Sequence, residues 1–227
     1  MGVFFLKLAV AAALLAAGAL AFPSGALIAA RRARRRYAGT PLARDLSGAG
    51  VARHLLDREG LSRIALDASA APLRERYDAA AGRVSLSRET ARGRSVYAAA
   101  TAAFLVAQAT LHADGDPDFA RAHRRESAIP WGANLLPPVL LAGVVLPGAR
   151  TFAMFAAPML AAHIALLTLL CLPAARLTSR RALSLLERHA LTAQTHERAA
   201  LRAALAAHAT RILATPLTRC FWLRRAL

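Results

Sequence analysis

The sequence predicts an α+β, mostly helical membrane protein with about three transmembrane helices and a small cytoplasmic part. Three observations carry this prediction. The 227 residues are 56% hydrophobic with a mean hydropathy of +0.37, too apolar for an ordinary soluble domain and long enough for one modest domain plus several spans. Apolar runs at Val3–Ala30, Ala128–Leu146 and Phe152–Pro173 approach or exceed the ~20 residues a crossing requires. Arginine clusters at Arg31–Arg36 and Arg176–Arg181 directly follow the first and last of these runs, marking both ends as cytoplasmic. The chain thus divides into an N-terminal anchor (1–30), a cytoplasmic domain (31–127), a transmembrane hairpin (128–173) and C-terminal cytoplasmic helices (174–227), with the N-terminus outside.

Lys and Arg number 30 against 13 acidic residues, a net charge of +17, and Lys7 is the sole lysine. Such a balance fits nucleic acid, anionic lipid or cytoplasmic loops. Aromatic residues make up only 6%, and no basic-aromatic platform for stacking bases is present, so nucleic acid is excluded as a partner and membrane lipids are expected. Cys171 and Cys220 have no ligand spacing and read as unpaired thiols, and no cofactor is expected.

The first run carries Ala19-Leu20-Ala21, which resembles a signal-peptidase site. The apolar run continues past it into five arginines, however, which favours a retained anchor. Tyr37–Ser47 reads as a polar linker. Gly50–Glu59, with Val51, Leu55 and Leu56 apolar and Gly60 as the stop, is a short amphipathic helix. Leu61–Leu66 is strand-like. Leu73–Tyr77 and Arg83–Ser87 alternate at period two around Asp78–Gly82, the pattern of a β-hairpin. Tyr97–His112 is a buried helix, free of Gly and Pro and closed by Asp114-Gly115-Asp116-Pro117. The connection Pro147–Arg150 is so short that the flanking apolar runs form a hairpin, whose first member carries Pro137-Pro138 and should kink. Ser179–Arg188 and Thr192–Leu213 read as two more helices. The second places Leu201, Leu205, His208 and Ile212 on one face, while Arg202 and Arg211 argue against a span.

The blocks VARHLLDREGL, LRERYDAAAGRVSLS, GRSVYAAATAAFLVAQATLHA and ESAIPWGANLLPPVLLAGVVL, followed by the two C-terminal helices, resemble in order and spacing the YugP-type neutral zinc metallopeptidases, small bacterial membrane proteins. The resemblance implies a metallopeptidase-like cytoplasmic part in a bacterial inner membrane. In that family the third block reads AAHEVGHAIQHA, which falls without gaps on Ala102–Ala113, so its His-Glu-x-x-His lies on Phe104, Leu105 and Gln108. A later segment like LPVEFDASRRA falls on Leu172–Ala182. Its acidic positions, one of which the resemblance implies as the third zinc ligand, are Ala175 and Leu177 here.

Zinc hydrolysis needs three donors and an open position. Phe104 and Ala175 have no donor atom and Gln108 only a neutral amide. Leu105 cannot take the proton, a step worth about 10²–10⁴ in rate. Four wrong groups at four positions predict a scaffold without family-type proteolysis.

Other donor-rich places read blandly. His112, His123, Asp114, Asp116 and Asp118 form a helix end and a solvated turn, and the run lacks the Gly and Glu of a calcium loop. His163, inside a span, is expected to hydrogen-bond to a neighbouring helix. His189, His196 and His208 lie among arginines, where a solvated face is expected. The hairpin Leu73–Leu86 reads as structural, although its edge could pair with an extended peptide. The expected role is that of an adaptor or regulator binding a peptide, a membrane protein or an active paralogue. The rivals are a hydrolase with a rebuilt metal site and a lipid-contacting structural protein.

Overall fold

The computed structural model describes residues 23–71, 75–192 and 195–218. The expected first span therefore lies largely outside the described residues. Its last part opens helix α1, which runs over 23–38. The chain folds as two compact units, one built on Ile28–Arg121 and Leu172–Arg211, the other on Ala122–Cys171 with residues from Ile212 onward.

In the first unit, α2 (Gly48–Arg58) starts where the Ser47 hydroxyl accepts the Gly50 N–H at 3.1 Å and ends before Gly60, whose φ of +74° suits glycine. Gly48 is required for a second reason: a Cβ there would lie 2.2 Å from the Thr90 carbonyl oxygen. Three strands follow, β1 (Ala65–Ala70), β2 (Arg76–Asp78) and β3 (Arg83–Ser87), in the order β1-β3-β2. The hairpin expected from the alternating pattern is β2–β3, with Tyr77 opposite Val84, although residues 73 and 74 of its first arm lie outside the described residues. Its turn is closed by Asp78, whose carboxylate accepts the Ala81 N–H at 3.1 Å.

The strand expected at Leu61–Leu66 is displaced. Residues 61–64 form a turn because the Arg53 guanidinium donates to the carbonyls of Ser62 and Ile64, at 3.1 and 3.3 Å. Strand pairing, parallel to β3, begins at Ala65. The stretch read as a linker is also pinned: Leu42 is buried, its N–H donates to the Arg94 carbonyl, and Pro41 bridges to Ser95.

Ser87 caps the short α3 (Arg88–Arg92), and Ser95 caps α4 (Val96–Ala113). The central helix was legible because 15 of its 18 residues are buried, so its apolar character extends round the whole cylinder. It forms the middle of a core with Val51, Leu55, Leu56, Val84, Leu86, Leu185, Leu186, Leu201 and Leu205.

Helices α5 (Pro117–Val145) and α6 (Arg150–Arg188) are longer than their apolar runs, with the turn Pro147–Ala149 between them. The separate helix expected at Ser179–Arg188 is the end of α6, because nothing after Pro173 interrupts the helical sequence. Helix α7 (Thr195–Arg211) and the four-residue α8 (Thr215–Thr218) complete the described chain.

In the second unit, α5 and α6 pack through small residues. A Cβ on Gly132 would meet Ile164 at 2.9 Å, and one on Gly143 would meet Ala153 at 2.3 Å. Ile129, Ile164 and Cys171 form the buried seam. Trp131, Leu141, Val144, Phe152 and Met159 are exposed, an outer surface suited to acyl chains rather than water. Three described helices are long and apolar enough to cross a membrane: α4, α5 and α6. Since α4 is buried within the first unit, its hydrophobicity is used in a protein core.

Candidate functional site

Tyr97, Thr101, Phe104 and Gln108 are spaced four, three and four residues apart and share one face of α4. The Phe104 ring is buried and stacks on the imidazole of His208 from α7, with centroids 5.7 Å apart and planes 25° from parallel. Leu105 is fully buried and Gln108 half-buried. Of the two family acidic positions on α6, Ala175 is buried and Leu177 is exposed.

His208 also hydrogen-bonds to α4. Its Nε2 lies 2.9 Å from the Thr101 hydroxyl, which already donates to the Tyr97 carbonyl at 2.8 Å. With the hydroxyl proton on the Tyr97 carbonyl, an Nε2–H tautomer of His208 completes the pair. Burial pushes the His208 pKa well below the ordinary histidine value, and Arg211 adds to this. The imidazole is neutral at pH 7.

Arg211, one turn further along α7, reaches Glu75 just before β2. Its guanidinium donates to the Glu75 carboxylate at 3.1 Å and to the Glu75 backbone carbonyl at 3.1 Å. The other carboxylate oxygen accepts the Thr90 hydroxyl at 3.0 Å, and Thr90 in turn accepts from Ser87 at 2.9 Å. Burial opposes the Arg211 charge, but the Glu75 carboxylate and the Tyr97 hydroxyl outweigh it and hold the guanidinium protonated. Burial raises the Tyr97 pKa, against the opposing pull of Arg211. The face of α4 that carries the motif positions is therefore packed against a closed polar network whose groups satisfy one another.

The donor-rich turn after α4 has local uses. The Tyr77 hydroxyl and His112 Nδ1 are 2.9 Å apart. Asp114 accepts from Arg181 at 3.1 Å, Asp116 caps the Phe119 N–H at 2.7 Å and Asp118 pairs with Arg121. Ser127 donates to the His123 carbonyl at 2.9 Å. Among the described residues no three His, Cys, Asp or Glu side chains are grouped to hold a metal ion. His163 is exposed, and among the described residues it has no hydrogen-bond partner. His196 is exposed. His189 is not solvated as expected, because Glu59 accepts from it at 2.8 Å in a mostly buried setting. Cys171 is a free, buried thiol, and Cys220 lies outside the described residues.

Sequence reasoning missed Glu75, Arg211 and the burial of His208. The signal for His208 was present, since its spacing from Leu201 and Leu205 puts it on the apolar face of α7, and an apolar face faces a core. Nothing in the sequence paired Glu75 with Arg211, which lie 136 residues apart.

The chain thus combines a long buried helix, a small mixed sheet and helices of membrane length. The chain belongs to the family described as "Putative neutral zinc metallopeptidase", which it matches over residues 12–227. No curated protein and no solved structure matches it. The family description implies zinc, but the motif positions do not fit that ion. A phenyl ring stacked on a neutral imidazole, a buried isobutyl group, one amide and a methyl group offer neither three donors nor a base.

Proposed function

We propose that this protein is a membrane-bound member of the zinc metallopeptidase family that has given up zinc hydrolysis and acts as an adaptor or regulator, docking a peptide, a membrane protein or an active paralogue. The observation that carries this reading is the Phe104–His208 stack. It occupies with packed rings the helix face where the resemblance sets the metal, and Leu105, in place of the general base, is buried beside it. Without a metal to lower the pKa of a bound water toward neutrality, the nucleophile of zinc hydrolysis does not form. A scaffold that keeps its fold while its chemistry is replaced retains surfaces, and surfaces bind. The arginine clusters support a placement in the bacterial inner membrane with the N-terminus outside and the C-terminus cytoplasmic.

The test is metal analysis and peptide hydrolysis on the purified, detergent-solubilised chain. The expected result is no stoichiometric zinc and no cleavage. One zinc per chain, lost on His112→Ala or His123→Ala, would replace this reading with a hydrolase built on a new metal site.

A further inference from the structure

Helix α1 carries five of its arginines within six residues, and helical pitch sorts them. At about 100° per residue, Arg31, Arg32, Arg35 and Arg36 fall within one arc of roughly 140°, and Arg34 falls on the opposite side. The structure follows this division. Ala30 is buried, Tyr37 packs against the core and Arg34 pairs with Glu89, so that side faces the domain. Arg31, Arg32, Arg35 and Arg36 are all exposed, and none pairs with a carboxylate among the described residues. Ile28, near the end of the apolar run Val3–Ala30, is 49% exposed on the same outward face. Arg36 lies over the Tyr37 ring, 5.6 Å from its centroid, which steadies one guanidinium.

An outward face with an apolar residue at one end and four unpaired guanidinium groups beyond it matches the boundary between acyl chains and phosphates. Guanidinium groups bind phosphate oxygens in pairs, with a geometry an ammonium lacks. We propose that the outward face of α1 formed by Ile28, Arg31, Arg32, Arg35 and Arg36 is a docking surface for the headgroups of anionic phospholipids. This rests on the membrane placement proposed above. It divides the arginine run into two functions: Arg34 fastens the helix to its own domain, and the other four hold the domain against the charged bilayer surface. The apolar contribution of Ile28 selects a lipid over a free phosphate ion.

The experiment uses the full-length, detergent-solubilised protein, titrated with mixed micelles containing phosphatidylglycerol, with phosphatidylcholine alone, or with inorganic phosphate, and bound lipid counted by native mass spectrometry. Arg31→Gln with Arg35→Gln should weaken phosphatidylglycerol binding about 25-fold, at about fivefold for each arginine near the surface. Arg34→Gln, which removes the pair with Glu89, should leave lipid affinity unchanged. Arg31→Lys with Arg35→Lys keeps the charge and should recover part of the binding. Unaltered affinity in the Gln pair, or inorganic phosphate competing as well as phosphatidylglycerol, would overturn the proposal. Release of the chain from membranes by alkaline carbonate would instead overturn the membrane placement, a result distinct from unaltered lipid affinity in a chain that stays inserted.

Discussion

His208 of α7 stacks on Phe104 of α4, and the same imidazole hydrogen-bonds with Thr101 one turn before it. The two helices are joined at the motif position by ring packing and a hydrogen bond. If the ring fills this space, Phe104→Ala leaves a cavity that the stacked imidazole cannot fill. The expected cost is about 3–5 kcal/mol, as for buried aromatics generally. Thermal unfolding of the solubilised protein measures it. A variant as stable as the wild type would mean that the motif face is open, and a ligand-binding cleft would become the better reading.

Acidification should loosen the same contact. His208 is held neutral by burial, with a pKa below the 6.5 of an unperturbed histidine. The unfolded chain therefore binds more protons below about pH 6.5, and stability falls as pH drops from there toward the depressed folded value. His54, lowered by burial and by Arg58, acts in the same sense. His208→Gln keeps an amide N–H for Thr101 but does not titrate. Its unfolding midpoint should vary less than that of wild type between pH 7 and pH 5, and equal slopes would count against a buried neutral His208.

The pair Glu75–Arg211 makes an asymmetric prediction. The Glu75 side chain is 1% exposed and that of Arg211 14%. Arg211→Met strands a buried carboxylate, a change that costs about 3–5 kcal/mol, whereas exchanging both partners for apolar groups is often neutral. Glu75→Leu combined with Arg211→Met should thus be more stable than Arg211→Met alone. Denaturant unfolding of the two single variants and the double variant measures the coupling. Additive effects would show that the two charges do not depend on each other.

The legible parts of this fold were those set by local pattern. Tyr97–His112 was readable as a helix because it is apolar throughout, and β2–β3 because Tyr77, Val84 and Leu86 alternate with polar residues round a turn closed by Asp78 and Gly82. The start of β1 was not readable, since it depends on Arg53 capturing the carbonyls of Ser62 and Ile64 from another element. The continuity of α6 was obscured for a different reason: its character changes from apolar to arginine-rich at Arg176, while the backbone stays helical. At the candidate site, the identity of Phe104, Leu105 and Gln108 declared the loss of donors at once. The Glu75–Arg211 pair was hidden, because an ion pair formed across 136 residues leaves no periodic trace.

The last prediction concerns orientation and follows from where the charges sit on the α5–α6 hairpin. Helix α5 ends at Val145, the turn spans Pro147–Ala149 and α6 starts at Arg150. That tip carries a single arginine. The far end of α6 carries Arg176, Arg180, Arg181 and Arg188, and Arg121, Arg124 and Arg125 lie near the start of α5. Positive charge near the ends of a span holds that end in the cytoplasm, so the tip should be outside and both far ends inside. Reporters fused after Arg36 and at the C-terminus should give cytoplasmic signals, and one inserted at Gly148 an external signal. Arg34, Arg121, Arg181 and Arg188 pair with Glu89, Asp118, Asp114 and Glu59, whereas Arg176 and Arg180 can be replaced without breaking an ion pair among the described residues. Replacing Arg176 and Arg180 with Gln while adding arginines beside Gly148 should therefore raise the fraction of inverted hairpins without unfolding the domain. An external signal from the C-terminus of the unaltered chain would rule out a cytoplasmic domain.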